Sequence, residues 1–294
     1  MKIAFLGLGK MGTPIVQRLL QAGDSVTIWN RSITSAKALE REGAAVAATA
    51  AEAVRGQDLV FSSLKDDAAH EEVFFGAGSV LETLTPSQLH LSLSTLSVGL
   101  SRRFTEAHAA RGQRFVGAPV FGRPNVAADG KLWIAVAGAD EDITDARPAL
   151  EPLSRGITVV GKEPWQAHAL KLGGNFMIAA MIQTLSEGMV FASSQGIAPQ
   201  TFVATVNSAL FQSPFYEAYA KVMLDPPEKP GATIHLGEKD VRLFREAGVE
   251  AGFDSGLGQF LAGEIQKAVD AGLGESDWPV STYRTVQGNL RSKP

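Results

Sequence analysis

Along the first half of the chain the apolar positions follow two alternating rhythms. Short runs rich in Val, Ile and Phe give way to longer stretches whose apolar residues recur at helical spacing, and glycines mark the joints. Lys2–Gly7, Ser25–Trp29 and Asp58–Leu64 read as strands. The last has an uninterrupted apolar centre, Leu59-Val60-Phe61, as expected of a strand covered on both faces. Leu89–Ser94, Arg114–Val120, Leu132–Ala137 and Ile157–Val160 continue the series. Helices are predicted between them at Met11–Ala22, Thr34–Glu42, about Val98–Ala110 and near Asp145–Leu153. Strand, helix, strand in this order predicts a mainly parallel sheet with helices on both faces, an α/β arrangement.

The rhythm stops at Gly161. From about Pro164 onward the pattern is helical throughout: Trp165–Gln195, Pro199–Leu210, Pro214–Leu224, Gly237–Ala251 and Leu257–Ala271, with DPPEKPG at 225–231 as a turn. A boundary near Lys162 follows, with an α/β domain over residues 1–162 and an all-helical domain over residues 163–294. Phe176–Ile182 is apolar all the way round, as in a helix buried in a core or an interface. Met177 and Met181 read as core, and Trp133, Tyr216 and Tyr219 as packing residues.

Composition narrows the functional classes. The 294 residues carry 27 basic and 31 acidic side chains, a formal net charge of -4, with no basic run and no basic stripe interleaved with aromatics. Nucleic acid is therefore not an expected partner. The absence of cysteine excludes disulfides and thiolate metal sites. The five histidines are scattered without metal-ligand spacing and read as surface or packing residues, so no metal is expected. The N-terminal MKIAFLGLGKMG imitates a secretion signal, but glycines break its apolar run and no cleavage site follows. The longest apolar run, Phe176–Ile182, is too short to cross a bilayer. A cytoplasmic protein with no membrane partner is the expectation.

Gly7-Leu8-Gly9-Lys10-Met11-Gly12 fits G-x-G-x-x-G, directly after a predicted strand and at the opening of a helix. In that context the first glycine permits a tight turn, the second lets backbone approach a pyrophosphate, and the third lets helix and strand pack closely. Helix N-terminal amides then face the phosphates. The competing reading is a glycine-rich turn with no ligand. These six residues predict a Rossmann-type dinucleotide-binding domain. The next strand ends in Asn30-Arg31-Ser32, where a fold that prefers NAD usually places an acid for the ribose 2′-hydroxyl. A planar cation between two neutral hydrogen-bonding groups suits a 2′-phosphate instead. The expected cofactor is NADP(H) in preference to NAD(H); otherwise Arg31 is an ordinary surface arginine.

The segment HALKLGGNF, residues 168–176, combines a lysine with two glycines at the entry to an apolar helix. Lys171 and Asn175 are four apart, on one helix face. Gly173 and Gly174 leave room for close approach by a backbone or a ligand. A lysine at the mouth of a buried helix is partly desolvated, which favours proton exchange near neutral pH. Beside a nicotinamide, such an amine can protonate the oxygen of a carbonyl being reduced. The alternative is a lysine that snorkels from a helix end to solvent.

Taken together, the sequence resembles the β-hydroxyacid dehydrogenase family, which includes 3-hydroxyisobutyrate dehydrogenases and glyoxylate/succinic semialdehyde reductases. The resemblance rests on GLGKMG at 7–12, GAPVFGRP at 117–124, GKEPWQAHALKLGGNF at 161–176 and Lys239-Asp240. It implies Lys171 as general acid/base with Asn175 as its partner, Thr95 near the nicotinamide and Lys239 in the cofactor or substrate cleft. Leu64 and Lys65, where the strand over 58–64 ends, complete the expected cofactor-binding set. On the substrate side the resemblance points to Phe121, Gly122, Arg123 and Gly174. It also implies a homodimer or homotetramer acting on a small carbonyl or hydroxy-acid substrate.

The departures from that family change the picture. Gly117 stands where the substrate motif usually has Asp, Phe121 where it has Ser, and Arg123 where it has Gly. Phe121 removes a hydroxyl and adds an aromatic wall, which favours a bulkier or more apolar carbonyl. Arg123 offers a bidentate carboxylate partner. Pro164 and Gln166 replace two further glycines of the catalytic motif. Two other functions stay open: C=N reduction of the imine reductase kind, which Lys171 speaks against, and a non-catalytic dinucleotide-binding module.

Overall fold

A computed structural model describes residues Met1–Leu290. The chain divides into two compact units, Met1–Lys171 and Leu172 onward. Among the described residues of the first unit, one sheet contains β1 (Lys2–Leu6), β2 (Ser25–Trp29), β3 (Ala45–Val46), β4 (Leu59–Ser62), β5 (Leu89–Ser92), β6 (Arg114–Gly117), β7 (Val120–Phe121), β8 (Leu132–Ala137) and β9 (Ser154–Gly161). Their spatial order is β3-β2-β1-β4-β5-β6-β8-β7, with β9 also paired to β8. β1 to β6 are parallel, and β8 is antiparallel to β6 and β7. The mainly parallel α/β expectation is therefore met, and the strand order reverses beside β1, where the phosphate-loop candidate lies.

Alternation of side chains along each strand builds a core on each face of the sheet. Ile3 and Phe5 join Ile28, Phe61, Ile15 and Leu19 on one face. Ala4 and Leu6 join Val60, Phe74 and Phe104 on the other. Each fully buried Ile, Leu or Phe contributes about 1.5–3 kcal/mol relative to an exposed one, so both faces are needed.

Several elements differ from expectation. The strand expected over Arg114–Val120 is split into β6 and β7, because Pro119 has no N–H to give the ladder. The helix expected near Asp145–Leu153 begins earlier, at Asp140, where Asp140, Glu141 and Asp142 complement its N-terminal dipole. β9 is longer than Ile157–Val160 on both sides. Short helices at Ala50–Val54, Asp67–Phe75, Val80–Thr83 and Pro124–Ala128, and the last helix, Trp278–Gly288, carried too little periodic signal to be read.

The second unit is helical. Helices Pro199–Val206, Pro214–Leu224, Ile234–Glu250, Gly256–Asp270 and Trp278–Gly288 pack with the long helix Pro164–Ser194 around Ile182, Met189, Ile234, Val241, Leu261 and Trp278. Among the described residues here, strand pairing is limited to one isolated bridge, Thr233 with Asp277. The division between units falls inside the long helix, beyond the boundary near Lys162 that the change of rhythm suggests. The reason is packing: Trp165 lies under the Arg102 guanidinium at 4.0 Å, and His168 Nδ1 lies 2.9 Å from Ser101 Oγ. Gly117 permits this approach, since a Cβ there would come within 2.2 Å of the Pro164 carbonyl oxygen.

Two core expectations need correction. Met177 is 70% exposed, so the long helix is not buried all round. By length and composition this helix could cross a membrane, and 44% of its most apolar stretch is buried within the protein. Trp133, expected to pack, is 43% exposed.

Candidate active site

The phosphate-loop candidate runs from β1 to the helix Gly12–Gln21. Its three glycines have separable roles. Gly7 adopts φ 103°, and a Cβ there would lie 2.3 Å from the Ser63 carbonyl oxygen. A Cβ on Gly12 would lie 2.0 Å from the Gly7 carbonyl oxygen, so this glycine sets the helix–strand approach. A Cβ on Gly9 would meet nothing within 4 Å. The middle glycine thus faces open space at a helix N-terminus, the cradle a dinucleotide phosphate requires. Lys10 is exposed and Met11 is half-buried against the core.

Asn30 is engaged within the protein. Its Oδ1 accepts from Leu8 N at 3.0 Å, and its Nδ2 donates to the Ser32 carbonyl at 2.9 Å. It therefore braces the glycine loop against the turn after β2. Arg31 and Ser32 are exposed, and Arg31 makes a loose surface pair with Glu72, 3.7 Å apart. The loops after β4 and β5 are tied together: Ser94 Oγ accepts from Leu64 N at 3.0 Å and donates to Leu64 O at 3.1 Å. Ser94 was not singled out in the sequence; its place next to Thr95 in SLSTLS was the available signal. Thr95 is half-buried, and Lys65 extends into solvent, 4.0 Å from Asp66.

Lys171 also belongs to the first unit. It is only 8% exposed, and its Nζ lies 4.2 Å from the centroid of the Phe121 ring. The departure from the family motif at Phe121 therefore falls on the candidate catalytic amine itself. Next to Phe121, Gly122 has φ 146°, and a Cβ there would lie 2.7 Å from Leu132 Cδ2. Arg123 is half-buried at the start of the helix Pro124–Ala128.

In the second unit, Asn175 is buried and its Nδ2 donates to Asp240 Oδ2 at 2.6 Å. Lys239 Nζ lies 3.2 Å from Asp240 Oδ1. Asp240, itself buried, thus holds both side chains; the sequence marked it only as the second member of the Lys239-Asp240 pair. Gly173 and Gly174 lie within the long helix, and a Cβ on Gly173 would meet nothing within 4 Å.

Fold and loop define an NAD(P)-dependent oxidoreductase, and the comparisons agree. Residues 2–161 match the family described as the NAD-binding domain of 6-phosphogluconate dehydrogenase. Residues 166–281 match the one described as NAD-binding of NADP-dependent 3-hydroxyisobutyrate dehydrogenase. The chain is 37% identical to an uncharacterised oxidoreductase of Bacillus subtilis (strain 168), over 95% of this chain and 97% of that protein. It is 29% identical to glyoxylate/succinic semialdehyde reductase 1 of Arabidopsis thaliana, over 95% of this chain and 96% of that protein. The 3-hydroxyisobutyrate dehydrogenase of Mycobacterium tuberculosis, solved with L-serine, superposes with a TM-score of 0.84 at 28% identity, covering 97% and 99% of the two chains. The protein belongs to the β-hydroxyacid dehydrogenase family.

Proposed function

We propose that this protein is an NADPH-dependent reductase of a small aldehyde or keto acid, able to oxidise the matching β-hydroxy acid in reverse, with Lys171 as general acid/base. The observation that carries the reading is the buried Lys171 amine over Phe121, in the same unit as the glycine loop. Gly7 to Gly12 hold the pyrophosphate, with Leu64, Lys65, Thr95 and Lys239 completing the cofactor set. Arg31 and Ser32 hold a 2′-phosphate. The description of the second matched family as NADP-dependent supports the same preference.

A dinucleotide held there would supply a hydride for the carbonyl carbon. Lys171 gives its proton to the carbonyl oxygen, so the product is a neutral alcohol, and the amine is reprotonated from solvent. Asn175 commits an amide N–H to Asp240, and its Oδ1 is by chemistry an acceptor. It therefore orients an ammonium or a substrate hydroxyl. Gly122 and Arg123 shape the substrate side, Arg123 as a carboxylate partner, with Gly174 leaving room on the helix.

Residues 1–162 act as the NADP-binding domain and residues 163–294 as the substrate and assembly domain. The assembly is a homodimer or homotetramer, supported by the exposed Met177 and Phe191 of the long helix. The protein works in the cytoplasm. A second reading, C=N reduction, draws support from the aromatic wall at Phe121.

The test is NADPH and NADH oxidation over glyoxylate, succinic semialdehyde, larger aldehydes and cyclic imines, with Arg31→Ala alongside. Carbonyl turnover with NADPH preferred, and the preference lost in Arg31→Ala, is expected. Turnover of imines alone, or cofactor binding with no turnover, rejects the carbonyl reductase; equal use of NADH rejects the cofactor assignment.

A further inference from the structure

Trp165, His168 and Lys171, each about one turn from the next, set the start of the long helix against the first unit. Trp165 lies under the Arg102 guanidinium at 4.0 Å, His168 Nδ1 stands 2.9 Å from Ser101 Oγ, and Lys171 Nζ lies 4.2 Å from the Phe121 ring centroid. His168 is fully buried. Its ring rests on bare backbone: a Cβ on Gly117 would come within 3.0 Å of its Cε1 and 3.1 Å of its Nδ1. Gly117 ends β6, and Phe121 ends β7 a few residues later. The helix turn from His168 to Lys171, about 4.5 Å along the axis, is thus laid on one strand segment at both ends. His168 Nε2 has no hydrogen-bonding partner. An unpaired buried nitrogen is costly, and an apolar side chain would fill the same space without that cost. What the imidazole adds is the Nδ1 contact to Ser101, a directional tie that apolar packing lacks. Burial and then His70 bring its pKa down to about 3, so at neutral pH the ring adds no charge one turn before the amine.

We propose that His168 is a positioning residue for the reaction: seated on Gly117 and tied to Ser101, it fixes the first turns of the long helix so that the Lys171 amine stands over Phe121. The inference rests on the reading that Lys171 protonates the carbonyl oxygen. A proton donor works only within hydrogen-bond reach of the oxygen it serves, and a misplacement of about 1 Å costs up to roughly 10²-fold in rate. The flexible stem of a lysine does not supply that precision by itself, so the backbone beneath it has to be fixed. Gly117 is part of the same device. A side chain there would strike the Pro164 carbonyl oxygen, 2.2 Å from its Cβ, and lift the helix off the strand.

The experiment measures His168→Ala and His168→Gln in the full chain, each with Lys171 intact and with Lys171→Ala, following turnover of the best carbonyl substrate, NADPH affinity and melting temperature. His168→Ala should lower kcat roughly 10-fold and leave KM and NADPH affinity within about 2-fold. His168→Gln, whose amide can still bond Ser101 Oγ, should recover most of the loss. On the Lys171→Ala background, His168→Ala should cost nothing further, since the amine it positions is gone. An equal loss on both backgrounds, or no loss with Lys171 intact, overturns the proposal. Acetylation of Lys171 by acetic anhydride, mapped by mass spectrometry, reads the seat of the amine without turnover. Faster acetylation in His168→Ala, in a protein that reduces no carbonyl, keeps the tie and rejects the reductase; an unchanged rate rejects the tie whatever the protein reduces.

Discussion

The Lys171 amine and the Phe121 ring form a pair, nitrogen to centroid 4.2 Å, in which the candidate proton donor is held against the residue that departs most from the family's substrate motif. A desolvated cation–π contact is worth about 2 kcal/mol, enough to fix where the amine points. Lys171→Ala should lower kcat by roughly 10²–10⁴, the usual worth of a positioned proton donor, while NADPH affinity stays within a few-fold. Steady-state rates and a fluorescence titration of NADPH read both quantities. Undiminished turnover would remove Lys171 from the chemistry.

Phe121→Ser restores the hydroxyl common in the family and deletes the aromatic wall. The ratio of kcat/KM for a small hydroxy acid to that for a bulky aldehyde should then rise by about 10-fold or more, since losing an apolar contact and gaining a hydroxyl partner act in the same direction. A constant ratio would mean that Phe121 does not line the substrate pocket.

The glycine loop separates space from strain. Gly12→Ala puts a Cβ 2.0 Å from the Gly7 carbonyl oxygen, so the helix must move off the strand. Gly9→Ala puts one into empty space. Gly9→Ala should melt within a few degrees of the unmodified protein yet bind NADPH at least about 10-fold more weakly, because the methyl enters the phosphate cradle. Gly12→Ala should lose both stability and binding. Calorimetric melting with and without NADPH distinguishes them, and full NADPH affinity in Gly9→Ala would place the phosphates elsewhere.

These contrasts show what was legible in the sequence. β2 and β8 were read at their observed limits, Ser25–Trp29 and Leu132–Ala137, because the first alternates polar with apolar residues and the second is one continuous apolar run. The glycine loop was legible because Gly7 and Gly12 answer backbone constraints while Gly9 keeps the space between them open. Short helices such as Pro124–Ala128 were not, since one turn shows no period. Trp133 and Met177 were misplaced for another reason: apolar character does not tell a core residue from an uncovered one, and only the packing around Gly156 and along the long helix does. Asp240 was underestimated because its importance lies in joining Asn175 to Lys239, a relation that a separation of 65 positions hides from any local pattern.

Asp240 is buried between an amide and an ammonium, 2.6 Å and 3.2 Å away. Asp240→Asn keeps a hydrogen-bond acceptor for Asn175 but removes the charge beside Lys239; Asp240→Leu removes both. The first should cost less in kcat than the second, and Asp240→Leu should also lose about 3–5 kcal/mol of stability, because Lys239 is left partly buried without its carboxylate. Urea titrations and turnover numbers test this ordering. Equal activity in all three forms would show that Asn175 needs no such brace.

Acid should destabilise the first unit through its buried histidines. His90 Nε2 lies 2.9 Å from Ser62 Oγ, its Nδ1 lies 3.0 Å from His108 Nε2, and its ring stacks on Phe74 at 4.4 Å. Burial lowers the pKa of His90 well below its ordinary value, and charge on His108, His70 and His168 would lower it further. Burial brings His108 down to about 4, against an opposing hydrogen bond from Gln113. Burial and then His70 bring His168 down to about 3, against the Pro164 backbone. Each is a base held neutral in the fold, whereas the unfolded chain binds its proton below about 6.5. The unfolded state therefore takes up more protons as pH falls, and stability is full above about 6.5 and declines toward the folded values. Each histidine removes roughly 1.4 kcal/mol per pH unit inside that window. Urea midpoints at pH 7.5, 6 and 5 should fall steadily, and His108→Gln should flatten the slope by about one proton. A flat midpoint across this range in the unmodified protein would show that the cluster accepts protons without unfolding.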